Sequence, residues 1–182
     1  DQLPMIEQTN EIVSKMNSLL PEPVLHHCKA MLSETSRLPG LDGNAKMSKS
    51  LGNTLLLSAS EETIHRAVNA MYTDANHLKA TDPGKIDGNM VFTYLDAFHS
   101  NKEKEEEMKA HYQQGGLGDR TCKNELEICL QELIAPMRER RSTYIKDKGM
   151  LIALLKKGSE RAHDVTQKTL REIKQGLGLP VF

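Results

Sequence analysis

The chain has 182 residues, enough for one domain with a sizeable core or for two small ones. Hydrophobic residues make up 38%, charged residues 27%, and the formal net charge is −1, a balance that is ordinary for a soluble globular protein. No apolar run approaches the roughly 20 residues of a membrane helix, and the first residues lack the pattern of a signal peptide, so we expect no membrane span.

The amino-terminal third combines one predicted helix with a long loop. Apolar side chains recur at helical spacing from Pro4 to Leu20, where prolines end the run. The short apolar stretch Val24–Leu32 fits either a strand or a helix. Ser33–Asn53 is rich in Ser, Gly, Pro and Asn without a helical period, which predicts a loop. Because irregular segments of this length are uncommon in compact proteins, we expect this loop to be functional.

The rest of the chain is predicted to be helical. Ser58 or Ser60 can cap a helix whose first turn contains Glu61 and Glu62. Lys102–Lys109 has the composition of an exposed, charged helix face. A last helix is expected from Ala162 to Leu177. The predicted buried stripes of the intervening helices are Ile64, Ala67, Val68 and Met71; then Val91, Leu95 and Phe98; then Cys122, Leu126, Cys129, Leu130, Leu133 and Ile134.

The chemically informative segment is Lys46-Met47-Ser48-Lys49-Ser50, followed by Leu-Gly-Asn. Two lysines three residues apart, with serines between and after them and glycines on either side, suit a mobile clamp for phosphates. Each lysine offers a compact positive charge with three donors on a flexible stem. Cations placed in this way stabilise the charge that develops during phosphoryl or nucleotidyl transfer. A generic polar surface loop can also contain two lysines, but the whole pentapeptide is far more specific.

This pentapeptide resembles the signature loop of class I aminoacyl-tRNA synthetases. The resemblance implies that the loop binds the triphosphate of ATP, with Mg²⁺, while the amino acid carboxylate attacks the α-phosphorus and pyrophosphate leaves. By the same resemblance Lys49 is the main transition-state cation and Lys46 supports it. Ser48, Ser50 and the backbone at Met47 complete the contacts.

The flanking residues are similar to those of bacterial tryptophanyl-tRNA synthetases. Asp1-Gln2-Leu3-Pro4 resembles a motif of that family, which implies that Asp1 contacts ATP and that Gln2 lies beside the amino acid. Arg37-Leu38 matches a strand end whose backbone receives adenine, although Leu38 also suits a core position. Weaker matches are Thr73-Asp74, Asp82-Pro83-Gly84, the glycines at 115–118 and the segment 136–141. Tyrosyl and other class I synthetases remain alternatives.

The last 45 residues are the basic part of the chain. Residues 138–182 hold 11 Lys and Arg against 5 Asp and Glu, whereas the rest holds 13 against 20. This asymmetry suits a polyanionic partner or a solvated helix surface. The family resemblance assigns tRNA recognition to this helical region, so Arg138 and Arg141, one helical turn apart, are candidates to bind tRNA phosphates. Ion pairs with Glu139 and its neighbours are the alternative.

The cysteines do not predict a metal site. Their odd number argues against a disulfide framework and favours a reducing, cytoplasmic location. Some tryptophanyl enzymes carry an iron–sulfur cluster on four cysteines, but only Cys122 and Cys129 match here, and His99 and Glu132 occupy the other positions. Both cysteines lie on an apolar stripe, so we expect core packing and no iron–sulfur cluster or other protein-bound metal.

The sequence therefore predicts a mostly α chain with two parts. Residues 1–57 would be the trailing end of an α/β Rossmann-type catalytic domain, and residues 58–182 an all-helical anticodon-binding bundle. The predicted function is part of a tryptophan–tRNA ligase that uses ATP, tryptophan and tRNA(Trp) and forms a homodimer. We expect a His-x-Gly-His motif before Asp1 and no activity from the chain alone. A non-catalytic, tRNA-binding helical module is the alternative from another class.

Overall fold

The computed structural model describes residues 2–33, 35, 37–44 and 46–181, and every regular element in these residues is helical. None of the helices in this part of the chain is both long and apolar enough to cross a membrane. The α-helices are α1 (Leu3–Asn17), α2 (Glu61–Ala70), α3 (Met90–Phe98), α4 (Lys102–Gln114), α5 (Asp119–Lys146) and α6 (Lys148–Gly176), and a 3₁₀ turn covers Lys49–Leu51.

The helical prediction is confirmed, but the expected strands are missing from the residues that the structure describes. Within the described part of residues 1–57, only α1 and the 3₁₀ turn are regular. Val24–Leu32 is neither a strand nor a helix, and Arg37-Leu38 does not end a strand. A strand requires a neighbour to satisfy its backbone N–H and C=O groups, and no such neighbour is present in these residues. The Rossmann-type character of residues 1–57 therefore stays a prediction.

The chain forms two compact units. The first unit comprises residues 1–34 and 147–182, and the second unit comprises residues 35–146. The second unit thus combines the long loop with α2 to α5. The proposed domains 1–57 and 58–182 were inferred from a family resemblance and stay a prediction.

The second unit has a continuous core, in which α5 packs against α2 and α3 while α4 packs against α3. The Ser60 side chain accepts a hydrogen bond from the Thr63 N–H (3.2 Å) and caps α2 as predicted. The predicted stripes are buried except at Ala67 and Cys129, which are half-buried, and at Phe98 and Leu133, which are exposed. The core contains Leu41, Ala59, Ile64, Val68, Met71, Met90, Val91, Phe92, Tyr94, Leu95, Tyr112, Cys122, Leu126, Leu130 and Ile134.

One part of the charged helix α4 departs from the prediction of an exposed face. Glu105 is only 2% exposed, because its carboxylate lies 2.8 Å from the ammonium groups of both Lys102 and Lys109. Burial alone would raise the pKa of Glu105. Hydrogen bonds with Asp96 and the two lysines outweigh this effect and lower the pKa to about 2. Paired charges of this kind can enter a core that an unpaired carboxylate could not.

The first unit contains the two terminal helices and little buried surface. Its last helix begins at Lys148 rather than at the predicted Ala162, since Asp147 accepts a hydrogen bond from the Met150 N–H (2.8 Å) and caps it. No residue of α6 is buried. In α1 only Val13 is buried. At the other end of α6, Gly176 lies against the buried Leu20.

The three cysteines have different environments. Cys28 is exposed, and its backbone is held by the Asn10 side chain, which accepts from the Cys28 N–H (2.7 Å) and donates to the Cys28 carbonyl (3.0 Å). Cys122 is buried and Cys129 is half-buried, both on α5. Burial raises the pKa of the Cys122 thiol to about 12. These two positions agree with the predicted packing role.

Candidate functional site

The segment that leads into the signature loop (Lys46–Ser50) is fastened to the helical core. The Tyr94 hydroxyl on α3 donates to the Pro39 carbonyl (2.7 Å), and the Tyr72 N–H donates to the Leu41 carbonyl (3.4 Å). Burial, with a contribution from the charge of Asp42, raises the pKa of Tyr94 to about 12. Its hydroxyl therefore stays protonated and available as a donor at neutral pH.

Asp42 organises the turn before the signature loop. Its carboxylate accepts hydrogen bonds from the backbone N–H of Asn44 (3.1 Å), from the Asn44 side chain and from the Asn53 side chain (3.0 Å). The bond from the Asn44 side chain, followed by that from Asn53, lowers the pKa of Asp42. Gly40 is required beside this cluster, because a Cβ there would lie 2.3 Å from the Asn53 amide nitrogen.

Asn53 holds the first half of the signature loop through one side-chain amide. Its nitrogen donates to Asp42 and to the Lys46 carbonyl (3.1 Å), and its oxygen accepts from the Ser48 N–H (2.8 Å). Its own backbone carbonyl accepts from the Leu41 N–H (3.0 Å). Asn53 is only 4% exposed. We define Leu41, Asp42 and Asn53 as the loop base.

The signature loop continues as a short turn. Ser48 and Ser50 share a hydrogen bond between their hydroxyls (2.7 Å), and Lys49–Leu51 form the 3₁₀ turn. Gly52 ends this turn with φ of +68°, a conformation that favours glycine. Met47 packs partly buried against the core of the second unit. The turn is therefore held at its base and at Met47.

The two predicted catalytic lysines are both exposed at this turn. Neither Lys46 nor Lys49 forms an ion pair with another described residue. Their backbone is fixed while their side chains extend into solvent, so the ammonium groups can close on an anionic ligand. This arrangement suits binding of a polyphosphate better than proton transfer, because the loop contains no carboxylate or imidazole.

An open groove of about 520 Å³ borders the loop base. It is lined by Asp42, Asn53 and the residues that follow the 3₁₀ turn on one side, and by α2 on the other. Arg66 of α2 adds a positive side chain to this groove, with its Nε 3.8 Å from the Glu62 carboxylate. Exposed pairs at this distance interact weakly, so Arg66 can turn toward an anion in the groove.

The remaining residues predicted to bind ATP have different placements. Asp1 lies outside the described residues. Gln2 is exposed and precedes α1, and its backbone carbonyl accepts from the Met5 and Ile6 N–H groups. Leu38 is half-buried against the core of the second unit, which agrees with its alternative packing role. Gln2 belongs to the first unit, and its proposed cooperation with the signature loop stays a prediction.

The two candidate tRNA-binding arginines differ in their environment. Arg138 donates to the Ala59 carbonyl (2.9 Å) and to the Glu61 carboxylate (3.0 Å), so its guanidinium joins α5 to the start of α2. The expected partner Glu139 is not the one it uses. Arg141 is exposed near the end of α5. Of the two, Arg141 is the side chain that is accessible to a phosphate.

No cluster of three or more His, Cys, Asp or Glu side chains arranged to hold a metal ion is found among residues 2–33, 35, 37–44 and 46–181. His99 and Glu132, which occupy the positions of the two missing iron–sulfur cysteines, lie in different environments. His99 is buried and forms a 3.0 Å contact with Glu125, whereas Glu132 is exposed.

The sequence alone indicates the signature loop, but it assigns no role to Asn53 or Asp42.

Comparison with known proteins identifies a family for most of the chain. Residues 1–135 match the family described as tRNA synthetases class I (W and Y). Tryptophan–tRNA ligase of Clostridium longisporum is 48% identical over 184 residues, and that of Streptococcus pyogenes is 49% identical over 187. Both alignments cover 100% of this chain. The chain spans about half the length of these curated relatives, 54% and 55% respectively.

Solved structures agree in fold. The crystal structure of tryptophanyl-tRNA synthetase from Campylobacter jejuni complexed with ADP and tryptophan matches with a TM-score of 0.73. The match covers 98% of this chain and 55% of that chain at 24% sequence identity. A tryptophanyl-tRNA synthetase from Giardia lamblia matches with a TM-score of 0.60 over 82% of this chain at 21% identity. These likenesses concern the fold of the described helices.

Proposed function

The chain belongs to the class I tRNA synthetases of the tryptophan and tyrosine group, and on this premise we propose that it is part of a tryptophan–tRNA ligase. The observation that carries the proposal is the Lys46–Ser50 loop, whose lysines are exposed above a fixed backbone. The choice of tryptophan over tyrosine is supported by the relatives at 48% and 49% identity, which carry that name.

The proposed reaction has two steps. A tryptophan carboxylate oxygen attacks the α-phosphorus of Mg-ATP, the bond to the β-phosphate oxygen breaks, and pyrophosphate leaves with that electron pair. Negative charge grows on the leaving oxygen, where the Lys49 ammonium stabilises it most and Lys46 assists. The terminal ribose hydroxyl of tRNA(Trp) then attacks the carbonyl carbon of the adenylate and releases AMP. Ser48, Ser50 and the Met47 backbone would orient the phosphates.

The basic carboxy-terminal part is proposed to contact the tRNA. Arg141 would bind a backbone phosphate, since its side chain is exposed. Arg138 would support this surface from beneath through Ala59 and Glu61. Contacts of this type contribute affinity and register rather than sequence readout. Homodimer formation and a cytoplasmic location belong to the same proposal.

Amino-acid-dependent ATP–pyrophosphate exchange by the complete gene product tests the proposal. We expect exchange with tryptophan and at least a hundredfold lower kcat/KM with tyrosine, because a pocket shaped for one side chain rejects the other. If pyrophosphate exchange depended on tyrosine instead, the chain would be assigned to a tyrosyl-tRNA synthetase. Binding of tRNA without any exchange would favour the non-catalytic module.

Lys49 offers the sharpest test of the mechanism. Lys49→Ala should lower kcat for adenylate formation at least tenfold, a loss of about 1.4 kcal/mol or more in transition-state stabilisation. The matched control is Lys79→Ala, which removes another exposed lysine of the second unit. A decrease smaller than tenfold for Lys49→Ala, or an equal decrease for both variants, would contradict the assigned role.

A further inference from the structure

We infer that Asn53 is the positioning residue of the signature loop, and that its side-chain amide holds the Lys46 and Ser48 backbones in place before ATP binds. The catalytic consequence of this inference rests on the proposed function. The structural part concerns the hydrogen bonds of the loop base. Asn53 lies behind the loop, buried, and acts only through the residues that it holds.

The orientation of the Asn53 amide follows from its neighbours. Asp42 and the Lys46 carbonyl can only accept hydrogen bonds, so they require the amide nitrogen. The Ser48 N–H can only donate, so it requires the amide oxygen. All three demands agree with one orientation. Two N–H donors and an oxygen acceptor on one short side chain are found together only in asparagine, and the Asn53 amide nitrogen lies so close to Gly40 that a Cβ there would come within 2.3 Å of it.

The groups that Asn53 holds are those next to the proposed phosphate contacts. The Lys46 carbonyl and the Ser48 N–H flank Met47, and Ser48 in turn bonds to Ser50. A single amide therefore fixes the first half of the signature loop relative to Asp42, which precedes that loop in the chain. Preorganised groups stabilise developing charge without a reorganisation cost at the moment of reaction. Loss of the amide should therefore lower kcat more than it weakens ATP binding.

Asn53→Asp is the most informative change. It keeps the shape and the acceptor for the Ser48 N–H, but it removes both donors and places a second carboxylate 3.0 Å from Asp42. We expect kcat for adenylate formation to fall about thirtyfold, while KM for ATP changes less than about threefold. The control is Asn124→Asp, the same chemical change at an exposed position on α5.

A double exchange provides a rescue. Asp42→Asn combined with Asn53→Asp restores one donor and one acceptor between the two side chains and removes the repulsion between carboxylates. It does not restore the bond to the Lys46 carbonyl. We therefore expect kcat to recover about fivefold from the value of Asn53→Asp, short of the original rate.

A second combination separates positioning from general stability. In a Lys49→Ala background, Asn53→Asp should lower kcat less than about threefold further, because the loop then has no main cation left to position. A general folding defect would lower kcat by the same factor in both backgrounds. Equal factors would therefore overturn the positioning role.

Hydrogen–deuterium exchange of the peptide that contains Ser48 tests the hydrogen-bond arrangement itself, in the complete gene product without ATP. Asn53→Ala, which removes the acceptor of the Ser48 N–H, should accelerate exchange in this peptide at least tenfold, and Asn124→Ala should leave it unchanged. Unchanged exchange in Asn53→Ala overturns the inference. Accelerated exchange with an unchanged kcat also overturns it.

The two proposals can fail separately. If the unsubstituted gene product shows no tryptophan-dependent exchange of pyrophosphate, the proposed function fails. Accelerated deuterium exchange in Asn53→Ala would still support Asn53 as the residue that holds the loop. A different result would retain the proposed function and reject the positioning role of Asn53. In that case the unsubstituted gene product shows normal pyrophosphate exchange, and the variant at position 53 shows unchanged deuterium exchange.

Discussion

The two units of the chain bury their apolar side chains to very different degrees. In the second unit, α2, α3 and α5 place whole stripes in a shared core, and side chains such as Leu95 and Leu126 are fully buried. In the first unit, α6 is 29 residues long and none of them is buried. Both regions have helical periodicity. Periodicity therefore specifies a helix, whereas burial depends on which surfaces the chain itself supplies.

The largest contrast is expected from the same substitution in each unit. Leu95 is fully buried in α3, and Leu155 is 70% exposed in α6. Leu95→Ala should lower the free energy of unfolding of the second unit by about 3 kcal/mol, through lost transfer free energy and a cavity. Leu155→Ala should change that of the first unit by less than about 0.5 kcal/mol.

Urea unfolding can follow these changes in the second unit through tyrosine fluorescence. All four tyrosines lie within residues 35–146, and the chain has no tryptophan. Deuterium exchange of α6 peptides reports on the first unit. Equal losses for Leu95→Ala and Leu155→Ala would remove the contrast between the units.

Added methyl groups should have opposite effects in the two units. A Cβ at Gly84 would lie 2.2 Å from the buried ring of Tyr112, whereas nothing lies within 4 Å of a Cβ at Gly158 in α6. Gly84→Ala should therefore destabilise the second unit by about 2 kcal/mol. Gly158→Ala should stabilise α6 by about 0.7 kcal/mol, since alanine favours helix interiors. Urea unfolding measures the effect of Gly84→Ala, and deuterium exchange of α6 peptides measures that of Gly158→Ala. If Gly84→Ala stabilised the second unit, the tight packing of Gly84 against Tyr112 would be contradicted.

Acid should destabilise the second unit through Glu105. Its pKa is about 2 in the folded chain against an ordinary 4.5, so its stabilising contribution is present above pH 4.5 and is lost as pH falls toward 2. The pKa of Asp96 is raised, chiefly by burial, and this offsets part of the effect. We expect a net loss of about 1.5 kcal/mol between pH 5 and pH 3.

Glu105→Gln, which does not titrate, should flatten this pH dependence in urea unfolding followed by tyrosine fluorescence. Glu11→Gln alters an exposed carboxylate of the first unit and serves as the control. If the free energy of unfolding changed with pH in the same way for the original chain and for Glu105→Gln, Glu105 would not determine acid stability.

The smallest effects are expected at the helix caps. Ser60 caps α2 and Asp147 caps α6, each through one hydrogen bond to a backbone N–H. Replacement of either by alanine should cost about 0.7 kcal/mol of helix stability. In the second unit this loss should appear in global unfolding. In the first unit it should appear as faster deuterium exchange confined to the first turns of α6, because little packing couples that turn to the rest.

Local signals predicted most of the helices, and tertiary contacts explain the misses. The stripe Ile64, Val68 and Met71 and the cap Ser60 follow from spacing and capping chemistry. Glu105 could not be predicted as buried, since its burial depends on two lysines and on the position of α3. The start of α6 was missed although Asp147 is a suitable cap, because the helix begins two residues after α5 ends.

The sequence motif identified the candidate site, but it did not identify the residues that hold the signature loop in place. The lysines of the signature loop identify the chemistry, whereas the role of Asn53 appears only when the backbone groups of the loop are matched to their partners. A general signal was present: a long polar loop must satisfy its buried N–H and C=O groups, and Asp and Asn residues on the two sides of the signature loop are suited to do so. The sequence alone does not pair Asp42 with Asn53.

The unequal environments of the cysteines give the chain a built-in chemical handle. The thiolate is the form of cysteine that attacks a thiol-reactive dye, and burial raises the pKa of Cys122 to about 12 and also raises that of Cys129. Cys28 is exposed on the first unit, where Asn10 holds its backbone. Brief labelling at neutral pH should therefore place one fluorophore on the first unit, while the tyrosines report on the second. Motion of either unit could then be observed without adding or removing a residue.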